Sequence, residues 1–486
     1  MRERLPNIGK AMALVFVIPL LAVVASYAVS ARYEKSHHDS VLQAAWRQGY
    51  DFDERRITPY SWLCTDQRYR LSQFCKPARN LRLLEQGAKI SLNLGVILFA
   101  ILFLGRFYAG EDRSKLARVL HPLTRLMLVG LSVSILIQAA LLLQGLVLFE
   151  SAFLGSDYSS AFSGLGVVAL WGGLCLIWIA FRILKDEPYL QPGVQITTEN
   201  GEGLVKLVNE VADAVGSQRP DNIVAGLEPS FFVTGSRVSL ADEAEQLQGT
   251  TLYVPLTFLR ILNLDELRSV IGHEMGHFKG KDTEYSTKFS PAYSRLGSAI
   301  GSLAGENGTS LVNVPTVAFL VLIHDEFAVV ERKIGREREI CADQEGARVG
   351  SAKGLATALM KFGEYAQLWE GIQISVIEAL NDGISYDDLD HRYYEIVRSK
   401  FSKLDFAATR DELLLHEMAH PTDTHPTLRV RLDALGIEAK HLSREDLAPS
   451  NTAVFDLISD YKAIARALTM SEHQMMIDLG YAVQPT

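Results

Sequence analysis

The chain has 486 residues, 48% of them apolar and 22% charged, and 48 basic against 57 acidic side chains leave a net charge of −9. That balance, without basic blocks, excludes a strongly basic nucleic-acid binder, so no nucleic-acid partner is expected. Four cysteines without CxxC spacing exclude a disulfide scaffold and a structural thiolate zinc site. The mean hydropathy of +0.10 is high for so charged a chain, because four long apolar runs are concentrated before residue 186. Length and this uneven distribution predict two or three domains.

A spanning helix needs about 20 apolar residues to cross a hydrocarbon core about 30 Å thick. Residues 11–30 carry no charge, and Pro19 is tolerable there as a kink. A cleaved signal peptide is the plainer reading of this run, but its length and the lack of an independent secreted domain after it favour a span. Residues 88–106 form a second run with Lys89 and Arg106 able to snorkel at its ends. Runs at 126–149 and 161–181 complete a four-helix transmembrane region within residues 1–185. Arg2, Arg4 and Lys10 precede the first run, and Arg106, Arg113, Lys115, Arg118 and Arg125 lie between the second and third. Residues 150–160 carry no base, while Arg182 and Lys185 follow the fourth run. The positive-inside rule then places the large C-terminal part in the cytosol and residues 31–86 in an extracytoplasmic loop. Ten bases in that loop run against a naive count, but they are mixed with acids and spread over a long segment. Cys64 and Cys75 fit an oxidising compartment, and a bridge between them would close a short ring contributing about 3 kcal/mol. Cys175 and Cys341 read as packing residues, and His37-His38 as part of a solvated polar stretch.

Beyond a Pro/Gly linker at 186–193, an amphipathic helix is expected near 204–215, with short strands around 222–224, 231–234 and 251–254. The Gly, Ser and Asn-rich segment 297–312 predicts a mobile loop. Residues 314–323 are apolar but too short to span, so they belong to the core or to a membrane-contacting helix. Helices are expected at 352–369, 393–401, 427–435 and 452–469, and no internal repeat is present.

The strongest chemical signal is His273-Glu274-Met-Gly-His277. Leu267, Val270, Ile271 and Phe278 recur at helical spacing, and Asn263 with Glu266 forms a capping box at the start. On such a helix His273 and His277 are one turn apart and can share a metal, while Glu274 can reach a water without being a ligand. A pentapeptide with three fixed positions also arises by chance on surface helices, so a third ligand is needed. Glu339-Ile-Cys-Ala-Asp343 offers one: Glu339 as ligand, with Asp343 one turn on, able to accept a hydrogen bond from the distal nitrogen of a ligand histidine.

HEMGH, then Arg336-x-x-Glu339-x-x-Ala342-Asp343, then Thr424-His425-Pro426 resembles the membrane zinc metallopeptidase family of HtpX and the CAAX prenyl endopeptidases over roughly residues 185–435. Together with the four apolar runs, it predicts a mainly α chain: the four-helix transmembrane region, then, as the resemblance implies, an α+β gluzincin zinc-peptidase domain with a small β-sheet at 186–435, then a C-terminal helical extension at 436–486. It further implies one Zn2+ per chain held by His273, His277 and Glu339, with Glu274 as base and His425 as an oxyanion donor. Gly335 stands where the family has Ser. The family's substrate-binding strand resembles Ser230-Phe231-Phe232-Val233-Thr234-Gly235 without its asparagine, although pairing through main-chain groups survives that change. The family's HtpX type has spans on both sides of the zinc motif, whereas here the clear runs all precede it. A second HExxH, His416-Glu417-Met-Ala-His420, is followed at once by Pro421 and by no ExxxD, and reads as a surface helix leading into His425.

Together these readings predict an integral membrane zinc endopeptidase with its catalytic domain on the cytoplasmic side of the cell or inner membrane. Its expected partners are the lipid bilayer and misfolded or membrane-associated polypeptides. Processing of prenylated peptides is the alternative within the enzyme class. A non-catalytic membrane scaffold or chaperone-like module is the alternative outside it, and the presence of Glu274 weighs against that one.

Overall fold

A computed structural model of the chain describes residues 4–49, 53–110, 112–153, 171, 174, 189–235, 237–240, 246–279, 289–304, 314–414, 417–419, 424–450 and 454–482. The chain divides into two compact units, one of Met1–Gly110, Val119–Lys185 and Arg295–Phe327, the other of Glu111–Arg118, Asp186–Ser294 and Ala328–Thr486.

The first unit is built on long apolar helices. Helix α1 runs Arg4–Arg47, 44 residues, or about 66 Å, twice the hydrocarbon thickness. The expected span at 11–30 is therefore only part of it, and residues 31–47 are helix rather than loop. No Gly or Pro interrupts that stretch, and the helix stops just before Gly49, which adopts φ +72°. A short helix α2 (Tyr60–Leu63) follows, then α3 (Lys76–Ala109) and α4 (Arg113–Phe153). Residues 76–86, also expected in the loop, belong to α3, because Pro77 in the first turn starts the helix there. Three helices are long and apolar enough to cross a membrane: Ile8–Arg47, Lys76–Ala109 and Arg118–Phe153. Among the described residues there are thus three candidate spans rather than four. The fourth expected run, 161–181, lies outside the described residues apart from Trp171 and Leu174.

Pro19 removes one amide donor inside α1, which would leave the Val15 carbonyl unpaired in an apolar setting. Gln138 of α4 answers it: its Nε2 donates to Val15 O at 3.1 Å and lies 3.1 Å from Ser134 Oγ. Cys64 and Cys75 are bonded, with Cα atoms 5.4 Å apart, and both are buried against Tyr60 and Ala78. Glu34 of α1 accepts from the Tyr60 and Ser61 amides at 2.6 and 2.8 Å, capping α2. His37 is half-buried against Tyr60 and Phe74 rather than fully solvated, and its Nε2 lies 3.2 Å from the Thr58 carbonyl.

After the metal motif the chain returns to this unit. Phe319 is fully buried with its ring 6.2 Å from Phe99, and Arg106 Nε donates to Glu326 O at 2.9 Å. Apolar packing thus claims the short run at 314–323, which length alone left between core and membrane contact.

The second unit contains β1 (Tyr189–Gln191), β2 (Val194–Ile196), α5 (Thr198–Val215), β3 (Asn222–Gly226), β4 (Phe232–Thr234), β5 (Val238–Leu240), β6 (Gln246–Leu247) and β7 (Thr251–Pro255). Strand order is β2-β3-β7-β4 in one sheet and β1-β5-β6 in another. In the larger sheet only β3 and β7 run parallel, and β4 occupies an edge. Next in chain order come α6 (Leu256–Leu259), α7 (Leu264–Gly276), α8 (Ser290–Ala304) and α9 (Val314–Val349), of which Arg295–Phe327 belong to the first unit. Helix α8 corrects the expected mobile loop at 297–312, since burial of Tyr293 and Leu296 outweighs the weak helix propensity of Gly and Ser. Residues 305–313 of that segment lie outside the described residues.

The remainder is α10 (Ala352–Tyr365), α11 (Leu368–Asn381), α12 (Leu389–Ser402), α13 (Phe406–Leu413), the hairpin β8 (Glu417–Ala419) and β9 (Thr424–Thr427), α14 (Leu428–Ala434) and α15 (Tyr461–Asp478). The helix expected at 352–369 is thus two helices, and that expected at 452–469 begins only at Tyr461. One hydrophobic core takes side chains from α5, β3, β7, α7, α10 and α15. Tyr461 Oη donates to Leu256 O at 3.0 Å and Tyr365 Oη to Leu447 O at 2.7 Å, tying the last segments of the chain to that core.

Candidate metal centre

Helix α7 is positioned from its first turn. Asn263 Oδ1 accepts from the Glu266 amide at 2.9 Å and Glu266 Oε2 accepts from the Asn263 amide at 2.8 Å, the reciprocal capping box. Glu266 is buried, yet its carboxylate also accepts from Thr357 Oγ1 at 2.8 Å and Lys361 Nζ at 2.9 Å, which pins α7 to α10. Leu267, Val270, Ile271 and Met275 enter the core, and that register places His273 and Glu274, each 5% exposed, in the wall of a cleft.

Helix α9 crosses α7 at a point where glycine is required. A Cβ on Gly346 would lie 2.5 Å from Ser269 O and 3.1 Å from His273 N, and one on Gly276 would lie 3.0 Å from Ala342 Cα. This close backbone approach brings Glu339 and Asp343, both buried, against the histidines. Glu339 Oε2 is 3.5 Å from His273 Nε2, and Glu339 Oε1 is 3.3 Å from His277 Nε2. The three ligand-type atoms lie within 4.8 Å of one another. Tetrahedral donors about 2.0–2.2 Å from a metal are themselves about 3.3–3.5 Å apart, so the cluster is compatible with a metal ion.

Asp343 Oδ1 is 2.9 Å from His273 Nδ1. An ionised Asp343 accepts from Nδ1–H and leaves the Nε2 lone pair directed at the cluster. Burial works against that ionisation, but Arg431 outweighs it and holds the Asp343 carboxyl below its ordinary range. Burial also pushes His277 down to about 4, against the pull of Glu339, so its imidazole is neutral at pH 7.

Residues 205–439 match the model of peptidase family M48. The chain is similar to proteins named "Protease HtpX homolog" from Thermoplasma acidophilum (29% identity, 47% of this chain and 74% of the relative), Pyrococcus furiosus (29%, 35% and 59%) and Methanocaldococcus jannaschii (28%, 38% and 63%). Residues 205–439 are a region of the M48 peptidase family. No solved structure shows a significant likeness to the chain, and it spans less than two thirds of the length of two of these three relatives.

In this M48 region the sequence motifs left one residue of the site unmarked. Arg431 of α14 is 1% exposed. Its Nε donates to Asp343 Oδ2 at 2.9 Å and its Nη2 to Asp343 Oδ1 at 2.5 Å, a bidentate pair. The need for a cation beside a buried Asp343 was the available signal, but nothing in local spacing selects Arg431 over Arg429. His425 lies in β9, and its side chain falls outside the described residues. Within the second HExxH, Glu417–Ala419 form β8 rather than a helix: α13 ends at Leu413, and Glu417 is paired with Thr427 of β9. His416 and His420 themselves lie outside the described residues. Cys341, expected as a packing residue, is exposed, because it lies on the opposite side of α9 from the buried Glu339 and Ala342–Asp343 edge.

Proposed function

We propose that the protein is an integral membrane zinc endopeptidase that hydrolyses misfolded or membrane-associated polypeptides. The observation that carries this reading is the cluster of His273, His277 and Glu339 beside a cleft of about 670 Å³ whose wall includes His273 and Glu274. The three ligand residues would hold zinc, which when bound polarises a carbonyl and makes water more acidic. Asp343, paired with Arg431, keeps the proton of His273 on Nδ1. Glu274 accepts a proton from the attacking water as its oxygen bonds to the scissile carbonyl carbon. The same proton then passes to the amide nitrogen, which leaves as an amine when the C–N bond breaks. His425 donates a hydrogen bond to the carbonyl oxygen as negative charge builds there. Ser230 and Phe231 line the cleft immediately before edge strand β4, which supports binding of an extended substrate by main-chain pairing.

Purified protein in detergent should cleave casein, lose that activity on treatment with a chelator, and regain it with one equivalent of zinc. Activity indifferent to chelation would remove the metal from the reaction. The charge asymmetry of the short loops further supports a cytosolic catalytic domain, with the Cys64–Cys75 segment on the other side. Reporter fusions near residue 60 and within the C-terminal domain should therefore report opposite compartments, and the same compartment for both would overturn the assignment.

A further inference from the structure

The cleft that contains Glu274 has an apolar half that the hydrolytic steps leave unused. Val270 and Glu274 both line the cleft and stand one turn apart on α7, about 5.4 Å along its axis. The apolar wall continues from Val270 to Leu355, Leu359 and Phe362 of α10 and to Leu413 at the end of α13. Phe362 is held from two sides: its ring lies edge-on 5.6 Å from that of Phe231 and 4.3 Å from that of the fully buried Phe258. This wall is thus formed before any ligand arrives, and Phe231 directly precedes edge strand β4. Gly363 lets Leu413 close against α10, since a Cβ there would lie 2.8 Å from Leu413 Cδ2.

Charged groups of the same cleft already have partners. Glu364 Oε1 lies 3.2 Å from Lys400 Nζ, and Arg431 is committed to Asp343. A charged substrate side chain entering the apolar half would lose hydration without gaining a counter-ion, whereas an apolar one gains by leaving water. Pockets of about 300–1,000 Å³ bury a small ligand, so a cleft of about 670 Å³ has room for a large side chain and its own main chain.

We propose that this apolar half receives one large apolar side chain, aromatic or long aliphatic, from a substrate residue flanking the scissile bond, and that Phe362 and Leu413 set the size it admits. A peptide with its scissile carbonyl beside Glu274 brings a neighbouring side chain one helical turn away, against Val270 and the α10 wall. Phe362 and Leu413 are then specificity-determining residues of the cleft.

The inference rests on the peptidase reading, and two measurements separate the two. Fluorescent peptides with polar flanks, differing only in Trp, Phe, Leu, Ala, Lys or Asp at each position beside the scissile bond, are titrated against the full-length, zinc-loaded Glu274→Gln protein in detergent. At one position Phe and Leu should bind about 10–100-fold tighter than Ala, Lys or Asp. Added to that background, Leu413→Trp narrows the pocket and should cut the Phe-to-Ala ratio about tenfold. Phe362→Ala widens it and should move the optimum from Phe to Trp. A merely structural role would weaken every peptide alike and leave these ratios standing. Leu413 is the last residue of its helix, so its variant keeps the test decisive if Phe362→Ala fails to fold. Equal binding across the series, a preference for Lys or Asp, or ratios untouched by the substitutions overturn the inference. In parallel, wild-type protein is given a peptide library and the cut sites are mapped by mass spectrometry. Enrichment of large apolar residues at one flanking position supports the inference, and enrichment of small or charged residues at both positions overturns it. Failure to cut any peptide while the binding preference persists would sink the peptidase reading alone.

Discussion

Glu274→Gln is expected to abolish casein cleavage while leaving the fold and the zinc content intact. The substitution preserves shape and most of the volume of the side chain and removes only its capacity to accept a proton. General-base catalysis contributes about 10²–10⁴-fold, and more is lost where the base also orients the attacking water. Glu274 is 5% exposed and shares the cleft wall with His273. Glu417→Gln should leave turnover close to wild type, because Glu417 stands in a strand rather than on a helix with paired histidines. Cleavage by each variant in detergent, with zinc determined on the same samples, decides the matter. An active Glu274→Gln beside an inactive, zinc-replete Glu417→Gln would transfer the chemistry to the second motif.

Glu339→Ala should strip zinc from the purified protein. Glu339 is 1% exposed and supplies one carboxylate oxygen to each histidine, at 3.5 and 3.3 Å. Its removal leaves two imidazoles, a poorer site than the three protein ligands typical of catalytic zinc. Asp343→Ala should weaken metal binding or activity by about 10–100-fold, as loss of a partner that orients a ligand histidine usually does. In that variant Arg431 is also left buried without its bidentate carboxylate, so thermal stability should fall in parallel. Metal content by atomic emission, measured with the unfolding midpoint, separates loss of a ligand from loss of fold. Full zinc occupancy and full activity in Glu339→Ala would place the third ligand elsewhere.

Local pattern carried much of this molecule. The helical stripe Leu267, Val270, Ile271 and the Asn263–Glu266 capping box could be read directly from the sequence, because a cap and a 3.6-residue repeat are properties of neighbouring residues. The apolar runs announced membrane helices, since hydrocarbon thickness sets a length that a linear count can test. The strands at 222–224, 231–234 and 251–254 were legible for the same reason, being short and dense in β-branched and aromatic residues.

Contacts between distant segments lay beyond such a reading. Residues 31–47 continue α1 because neither glycine nor proline halts them before Gly49, although the end of the apolar run at residue 30 marked them as loop. Glycine and serine at 297–304 are helical because Tyr293 and Leu296 are buried, and burial outweighs propensity. The second HExxH has the residues of the first, yet its Glu417–Ala419 segment pairs as β8 with β9, and tertiary pairing overrides a pentapeptide. Arg431 stands 88 residues from Asp343 in the chain, and only the packing of α14 against α9 makes it the counter-ion. Sequence by itself determined which residue types could hold a metal and at what helical spacing. The tertiary structure decided which of them meet, because the approach of α7 and α9 across Gly276 and Gly346 depends on two backbones fitting where any larger side chain would hold them apart.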